Sequence, residues 1–223
     1  MTAYSCSATS AGGTAGPVIV SLGYDTTAPA FTPSLGPGTV FALGATAPAV
    51  TLDGLIDPDP DAAGPILPSG IASSSCGTID TTAVGKKSVS CTATDQAGNA
   101  TTKTVTYYVT YGFAGFQSPL PKSTQSKGST IPVKFALADF TDTTRYPNVA
   151  GIRVEISGPA NATASCPYNA AISAYQCQLK MPAKAGTYVL AAEQQLGGDW
   201  VALANTAAAT DKPTANGETI VLK

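Results

Sequence analysis

Four aspartates within nine residues form the most suggestive chemical pattern in the chain. The segment reads Asp53-Gly-Leu-Ile-Asp57-Pro-Asp59-Pro-Asp61, with three of the acids at alternate positions. Calcium takes about six to eight oxygen ligands, and an acidic loop supplies several of them at once. The alternating prolines oppose an EF-hand-like wrap because they stiffen the backbone. A solvated, extended loop without an ion is therefore the favoured alternative to a calcium site.

A second candidate for calcium is the pair Asp95 and Asn99, in the segment Asp95-Gln-Ala-Gly-Asn99. Their position near the end of a predicted domain would suit an ion that stiffens the junction between two domains. In a β-turn, however, Asp and Asn side chains more often bond nearby backbone N–H groups. The turn interpretation is favoured here, and calcium is the single cofactor hypothesis that the sequence supports.

The one tryptophan of the chain is the candidate for ligand binding. Trp200 directly follows Asp199, and an indole beside a carboxylate can stack on a sugar and hydrogen-bond to it. A lone tryptophan in a β-sandwich is more often a core residue, because its large ring buries much apolar area. We therefore predict a buried Trp200, with a sugar-binding site at Trp200 and Asp199 as the alternative.

Residues for the common catalytic mechanisms are missing or scattered. The chain has no histidine, which excludes Ser-His-Asp and Cys-His activation of a nucleophile and every histidine-based metal site. Its three glutamates, Glu155, Glu193 and Glu218, lie in or beside separate predicted strands. Nothing in this spacing predicts two carboxylates that converge on one substrate. The sequence therefore predicts a protein that is not an enzyme.

The five cysteines divide into two pairs and one single residue. Cys76 and Cys91 flank a turn-rich connector, and Cys166 and Cys177 flank a segment about the length of a hairpin. We expect both pairs to form disulfides, which indicates an oxidising, extracellular compartment. Cys6 is expected to be unpaired. Five reduced cysteines in a cytosolic protein are the alternative.

An internal repeat indicates the domain organisation. The sequence Ser-Cys-Ser-Ala-Thr around Cys6 recurs as Ser-Cys-Thr-Ala-Thr around Cys91, and β-rich sequence follows both copies. The spacing suits a β-sandwich of roughly 100 residues. Because the second copy ends a complete predicted domain, we expect the first copy to be the last hairpin of a truncated repeat. The partner of Cys6 would then lie upstream of Met1.

Nearly all of the predicted secondary structure is β. Short runs with alternating apolar residues, such as Val18–Leu22 and Lys103–Thr110, are separated by clusters of Gly and Pro. No helical periodicity with caps is present. We predict an all-β chain of sandwich domains with three parts: a hairpin with its linker (residues 1–27), a complete domain (28–111) and a different C-terminal domain (112–223).

The composition argues against two classes of partner. Charged residues make up 12% of the chain and its net charge is −2, which gives no electrostatic basis for nucleic-acid binding. No apolar run approaches the roughly 20 residues of a membrane span. We therefore predict neither nucleic-acid binding nor membrane insertion.

Two stretches resemble known extracellular families. Asp25-Thr-Thr-Ala-Pro29, followed by a β-rich segment that ends in Cys91-Thr-Ala-Thr-Asp-Gln-Ala-Gly-Asn99, resembles the bacterial immunoglobulin-like and HYR-type repeats. Gly128-Ser-Thr-Ile-Pro-Val-Lys-Phe135 resembles the PxKF-type domain that often follows such repeats. The resemblance implies tandem immunoglobulin-like β-sandwich domains, with an HYR-type domain at 28–111 and a PxKF-type domain at 112–223.

The resemblance also implies a function. Such domains are non-catalytic spacers, stalks or adhesion modules of secreted and cell-surface proteins. The chain is therefore expected to space or stiffen an extracellular bacterial protein, with other domains of the same array, a surface polysaccharide or a protein as partners. A carbohydrate- or protein-binding module attached to a secreted hydrolase is the alternative. A truncated reading frame without a stable function is a third.

Overall fold

The structure is a computed structural model that describes residues 2–22, 24–58, 66–120, 123–209 and 216–223. These residues contain strands and no helix, so the all-β prediction is confirmed. None of the described ranges therefore holds a helix long and apolar enough to cross a membrane. In chain order the described strands are β1 (Thr2–Ser10), β2 (Gly13–Leu22), β3 (Ala30–Pro33), β4 (Val40–Ala42), β5 (Leu52–Ile56), β6 (Ile71–Cys76), β7 (Gly85–Asp95), β8 (Ala100–Thr110), β9 (Gly112–Phe116), β10 (Thr124–Gln125), β11 (Thr130–Ala138), β12 (Ile152–Ser157), β13 (Ala162–Ser165), β14 (Tyr168–Asn169), β15 (Ala174–Lys180), β16 (Gly186–Leu196), β17 (Asp199–Ala202) and β18 (Glu218–Leu222).

The chain forms two compact units, each assembled from segments that are distant in sequence. The first unit comprises residues 1–35, 50–77 and 90–105, and the second comprises residues 36–49, 78–89 and 106–223. The sequence-domain boundaries predicted at residues 27–28 and 111–112 stay predictions.

The first unit is built from short antiparallel pairings around a small core. β1 pairs with β2, β3 with β5, and β6 with the last part of β7. Its core residues are Phe31, Cys91 and Ala93. Along β7, Cys91, Ala93 and Asp95 are buried and the residues between them are less so. The period-two alternation of a strand thus places an aspartate on the buried face, where a charge is costly unless it is paired or hydrogen-bonded.

The second unit is a β-sandwich, as predicted. One sheet has the order β10-β18-β16-β12-β13, with β17 also paired to β16, and the other has the order β14-β15-β11-β9. Alternate residues of β11 point into the core, among them Val133, Phe135 and Leu137. The ring of Phe135 stacks on Tyr175 with centroids 5.7 Å apart. Both sheets contribute to one large apolar core, because Val154 and Leu190 of the first sheet belong to the same cluster.

The two expected disulfides are present. Cys76–Cys91 joins β6 to β7 in the first unit, and Cys166–Cys177 joins the segment after β13 to β15 in the second unit. The second bond therefore links the end of β13, an edge strand of one sheet, to β15 of the other sheet. Cys6 is free and exposed.

Removing the second disulfide with Cys166→Ala and Cys177→Ala together should destabilise the second unit. The bond closes a short loop between the two sheets, so we expect the free energy of unfolding to fall by about 3 kcal/mol. Urea unfolding followed by the fluorescence of Trp200, the one tryptophan of the chain, measures this. Cys6→Ala is the control and should change the result by less than about 0.5 kcal/mol. An unchanged transition in the double variant would contradict a stabilising role for the bond.

Candidate functional site

Three carboxylates meet in the first unit. One oxygen each of Asp25, Asp57 and Asp95 lies within 4.8 Å of the other two. The side chains come from the segment between β2 and β3, from the residue after β5 and from the last residue of β7. Asp25 is 6% exposed and Asp95 is 1% exposed. The fold therefore brings together three acids that are far apart in sequence, and it removes at least two of them from water.

Asp25 is held by backbone N–H groups. Its Oδ1 accepts a hydrogen bond from the N–H of Thr27 at 2.9 Å, and its Oδ2 accepts one from the N–H of Ser69 at 2.8 Å. The bond to a residue two positions later is the usual turn made by an aspartate at the start of a linker. The bonds from Thr27 and then Ser69 hold the pKa of Asp25 below its ordinary value. The carboxylate of Asp25 is thus ionised at neutral pH.

Asp95 is oriented by Asn99. Asp95 Oδ1 accepts a hydrogen bond from the backbone N–H of Asn99, and Oδ2 accepts one from Asn99 Nδ2, each at 2.8 Å. The same Nδ2 donates to the backbone oxygen of Asp25 at 3.2 Å. The turn expected from the sequence is therefore present, and it fixes the carboxylate of Asp95 beside that of Asp25.

Asp57 carries the unsatisfied atom of the cluster. Its Oδ2 accepts hydrogen bonds from the N–H of Gly70 at 2.6 Å and from the hydroxyl of Ser69 at 3.4 Å. Its Oδ1 is buried and has no hydrogen-bond partner among the described residues. A buried acceptor without a partner costs about 1–3 kcal/mol. Asp57 Oδ1 therefore lacks the contact that a buried carboxylate oxygen normally has.

The charges of the cluster are not balanced by side chains. Within the described ranges no Lys or Arg forms an ion pair with Asp25, Asp57 or Asp95. Two ligands bonded to one calcium ion at about 2.4 Å each lie at most about 4.8 Å apart, which matches the spacing of the oxygens. A hollow of about 460 Å³ is lined by Tyr24, Asp25 and Ser69 among others, so it borders one of the three carboxylates. The residues present fit a hard divalent cation such as calcium.

The cluster combines residues of two separate predicted sites. The sequence places Asp57 in the acidic loop, and Asp95 with Asn99 in a turn in another part of the chain, whereas the fold brings Asp57 and Asp95 together. Asp53 is not part of the cluster. It is exposed, and it accepts a hydrogen bond from the hydroxyl of Thr51 at 3.2 Å.

Two of the predicted calcium ligands, Asp59 and Asp61, lie outside the described residues. Asp25, by contrast, belongs to the cluster but was not predicted. Asp25 was missed because the sequence analysis assigned it to a linker, where acids are usually solvated. The available signal was the Asp-x-Thr spacing of residues 25–27, which is typical of an aspartate that bonds its own backbone.

Trp200 is not a core residue, so the predicted burial is wrong. The side chain is 37% exposed, because the alternation of β17 points the neighbouring Val201 into the core instead. The guanidinium of Arg153 covers its ring, 4.2 Å from the centroid. This is a cation–π contact, and it occupies one face of the indole.

The carboxylate of Asp199 also has hydrogen-bond partners within the second unit. It accepts hydrogen bonds from Lys86 Nζ at 2.9 Å and from the hydroxyl of Tyr108 at 2.7 Å. The ammonium of Lys86, followed by the hydroxyl of Tyr108, lowers the pKa of Asp199. The carboxylate in turn raises the pKa of Tyr108. Trp200 and Asp199 therefore take part in separate contacts within the second unit and do not present one open surface.

Two glutamates converge, which the sequence analysis did not predict. Arg153 donates from Nε to Glu193 at 2.6 Å and from a terminal nitrogen to Glu155 at 3.0 Å. Burial raises the pKa of Glu193, and the shared guanidinium compensates both carboxylates. The three residues form an ion-pair network that also holds Arg153 against Trp200.

Arg153→Ala should expose Trp200. Removal of the guanidinium uncovers the indole, so its fluorescence emission should shift to longer wavelength and acrylamide should quench it more strongly. Because Trp200 is the one tryptophan, the signal reports this ring alone. Arg145→Ala is the matched control, since Arg145 pairs with Asp142 instead, and it should leave the emission unchanged. Identical spectra for both variants would contradict the stacking.

The same substitution should make stability depend on pH. A carboxyl whose folded pKa is raised favours folding while it is protonated, and this contribution is lost as pH rises through the folded pKa. Without Arg153 the raised pKa of Glu193 should rise further. Arg153→Ala should therefore lower the free energy of unfolding by about 1–3 kcal/mol at pH 7 and by less at pH 4. Urea unfolding at both values measures this, and an equal loss at both would show that Glu193 is not involved.

Comparisons with known proteins give only distant likenesses. No family model matches the chain, and no curated protein matches it. Among solved structures, the D00-D0 domain of intimin is 12% identical with a TM-score of 0.28, covering 84% of this chain and 96% of that one. The mixed-linkage glucan utilization protein SGBP-B of Bacteroides ovatus, solved with a heptasaccharide, is 12% identical with a TM-score of 0.26, covering 88% of this chain and 47% of that one. A chimeric titin Z1Z2 is 14% identical with a TM-score of 0.23, covering 89% and 97%. Likenesses this low carry no argument about function.

Proposed function

We propose that this chain is a non-catalytic structural or adhesion module of a secreted or cell-surface protein, stiffened by calcium at Asp25, Asp57 and Asp95. The observation that carries the proposal is the cluster itself. Its three carboxylates are close together without a Lys or Arg partner in the described part of the chain, and Asp57 Oδ1 is buried without a hydrogen bond. A divalent cation would satisfy the oxygen and offset the repulsion.

Calcium would act as a tie between separate parts of the first unit. Asp25 belongs to the segment that follows the β1–β2 hairpin, whereas Asp57 directly follows β5 and Asp95 is the last residue of β7. Asn99 already positions two of these groups through its Nδ2. Backbone oxygens and water would complete the roughly six to eight ligands that calcium requires. The bound ion would restrict the movement of segment 24–29, which is the physical meaning of stiffening here.

Two further observations support an extracellular module. Both disulfides, Cys76–Cys91 and Cys166–Cys177, belong in an oxidising compartment. Extracellular calcium modules bind the ion with dissociation constants of about 10⁻⁴–10⁻³ M, a range that a cluster of three carboxylates can reach. The partners in this proposal are other domains of the same array, a surface polysaccharide or a protein.

The finer identification is an HYR-type repeat followed by a PxKF-type domain in a bacterial protein. It is supported by the place of the motif residues in the cluster. Asp25 begins the segment Asp25-Thr-Thr-Ala-Pro29, Asp95 and Asn99 end the second motif, and the fold brings all three together. The two motifs would then be two halves of one ion site.

Calcium binding is tested with Asp57→Asn and, as a matched control, Asp53→Asn. Calcium at about 10–100 times its dissociation constant should stabilise the parent chain by about 1–3 kcal/mol, seen as a higher melting temperature than in chelator. Asp57→Asn should lose this shift and the heat of binding in calorimetry. Asp53→Asn should keep both, because Asp53 is exposed and outside the cluster.

The same samples separate loss of the ion from misfolding. In chelator, Asp57→Asn should be at least as stable as the parent chain, since it removes one of three mutually repelling charges. No calcium-dependent shift in the parent chain would overturn the proposed ion site. A shift that Asp53→Asn loses and Asp57→Asn retains would move the site to the acidic loop.

The second candidate function is a carbohydrate- or protein-binding module attached to a secreted hydrolase. The contacts of Trp200 with Arg153, and of Asp199 with Lys86 and Tyr108, argue against the sugar-binding site that the sequence gives as the alternative. The surface around Tyr168, elsewhere in the second unit, favours this function instead.

A further inference from the structure

Three hollows of the second unit share one residue, Tyr168. Their volumes are about 320, 370 and 560 Å³. Tyr168 belongs to β14, which is the edge strand of the β14-β15-β11-β9 sheet. We call the hollows together the Tyr168 surface. Concave surfaces with an aromatic residue and a few polar groups are the usual places of ligand binding.

The ring of Tyr168 is held in place by the buried Tyr175. It packs edge-on against Tyr175 with centroids 5.3 Å apart. Tyr175 is 1% exposed, and its hydroxyl donates to the backbone oxygen of Tyr146 at 2.7 Å and accepts from the N–H of Val149 at 2.8 Å. The Cys166–Cys177 disulfide fixes the chain just before Tyr168. The half-buried ring is therefore preorganised, which lowers the entropic cost of binding.

Side-chain amides surround the largest hollow. Asn169 Nδ2 donates to Gln176 Oε1 at 3.2 Å, and Asn169 Oδ1 accepts from the N–H of Ala171 at 3.0 Å. Within the described ranges, Gln176 Nε2 and the exposed amide of Gln178 make no hydrogen bond, although both residues line this hollow. The surface thus offers donors and an acceptor beside an aromatic ring.

The Tyr168 surface carries no uncompensated charge. No charged side chain lines the hollow beside Gln178 or the hollow beside Asn148. Arg145 lines the remaining hollow, and it is paired with Asp142 at 2.6 Å. Among the residues that line the three hollows, a phosphate, a sulfate or a uronic acid finds no unpaired cation. The lining selects a neutral, polar ligand.

We propose that the Tyr168 surface binds a neutral oligosaccharide. The apolar face of one sugar ring would pack on Tyr168, while neighbouring hydroxyls bond to Gln176 and Gln178. A sugar hydroxyl is both donor and acceptor, as an amide is. Peptide binding by strand addition is less suited, because β14 offers an edge of two residues. The proposal goes beyond the structural role and does not depend on calcium.

Affinity electrophoresis of the whole chain in gels with and without a polysaccharide tests the proposal. The probes are the neutral polymers dextran, mannan, xylan and β-glucan, with polygalacturonate as the acidic counterpart and a proline-rich peptide as the protein-like competitor. At least one neutral polymer should retard the chain equally in calcium and in chelator. Polygalacturonate should not retard it, and the peptide should not compete.

Variants then assign the binding to the surface. Tyr168→Ala should weaken it about tenfold, which corresponds to about 1.4 kcal/mol. Because Tyr168 packs on Tyr175, the exposed Gln178→Ala is the second variant and should weaken binding several-fold without lowering the melting temperature. Trp200→Ala is the control and should bind as the parent chain does.

Three results would overturn the proposal. They are no retardation by any neutral polymer, retardation that only Trp200→Ala abolishes, and displacement of the polymer by the proline-rich peptide. A calcium-dependent shift in melting temperature without glycan binding would leave the structural role standing alone. Glycan binding without a calcium effect would support the glycan proposal and contradict the calcium site.

Discussion

The alternation of side chains along the strands decides where this protein can do chemistry. Successive residues of a strand point to opposite faces, so a single register determines which groups are buried and which face solvent. Along β7 that register buries Cys91 and Ala93 and then continues to Asp95. Along β17 it buries Val201 and leaves Trp200 outside. The burial of Asp95 in the first unit and the exposed indole of Trp200 in the second are consequences of the same geometric rule.

The two units are stabilised in different ways. The core of the first unit consists of Phe31, Cys91 and Ala93 with partly buried neighbours. Because this core buries little apolar surface, it contributes little to the stability of the unit. A disulfide and a network of bonds to Asp25, Asp57 and Asp95 supplement it. The second unit has a large aromatic and aliphatic core that includes Phe135 and Tyr175. Its edge residues are therefore available for contacts other than those that hold the fold together.

Some of this could be predicted from the sequence, and the rest could not, for definable reasons. Strand alternation and cysteine spacing are local patterns, and they predicted the all-β sandwich and both disulfides. The meeting of Asp25 with Asp57 and Asp95 depends on tertiary pairing between strands distant in sequence, which no local pattern contains. The exposure of Trp200, by contrast, follows from a local pattern. Val201 and Leu203 are apolar and buried, so the residues that alternate with them, Trp200 and Ala202, face outward. There the statistical preference for a buried tryptophan was given more weight than the register.

The two proposals together would have a functional consequence. The first unit concentrates three carboxylates near one point, so its stability would respond to the concentration of divalent cations. The Tyr168 surface has no uncompensated charge and rests on an apolar core and a disulfide, so its shape would not. An extracellular protein meets calcium on leaving the cell, and a calcium-dependent tie would then stiffen the first unit while the ligand surface of the second stays unchanged. Rigidity and recognition would therefore be controlled independently in one chain, because different physical interactions maintain them.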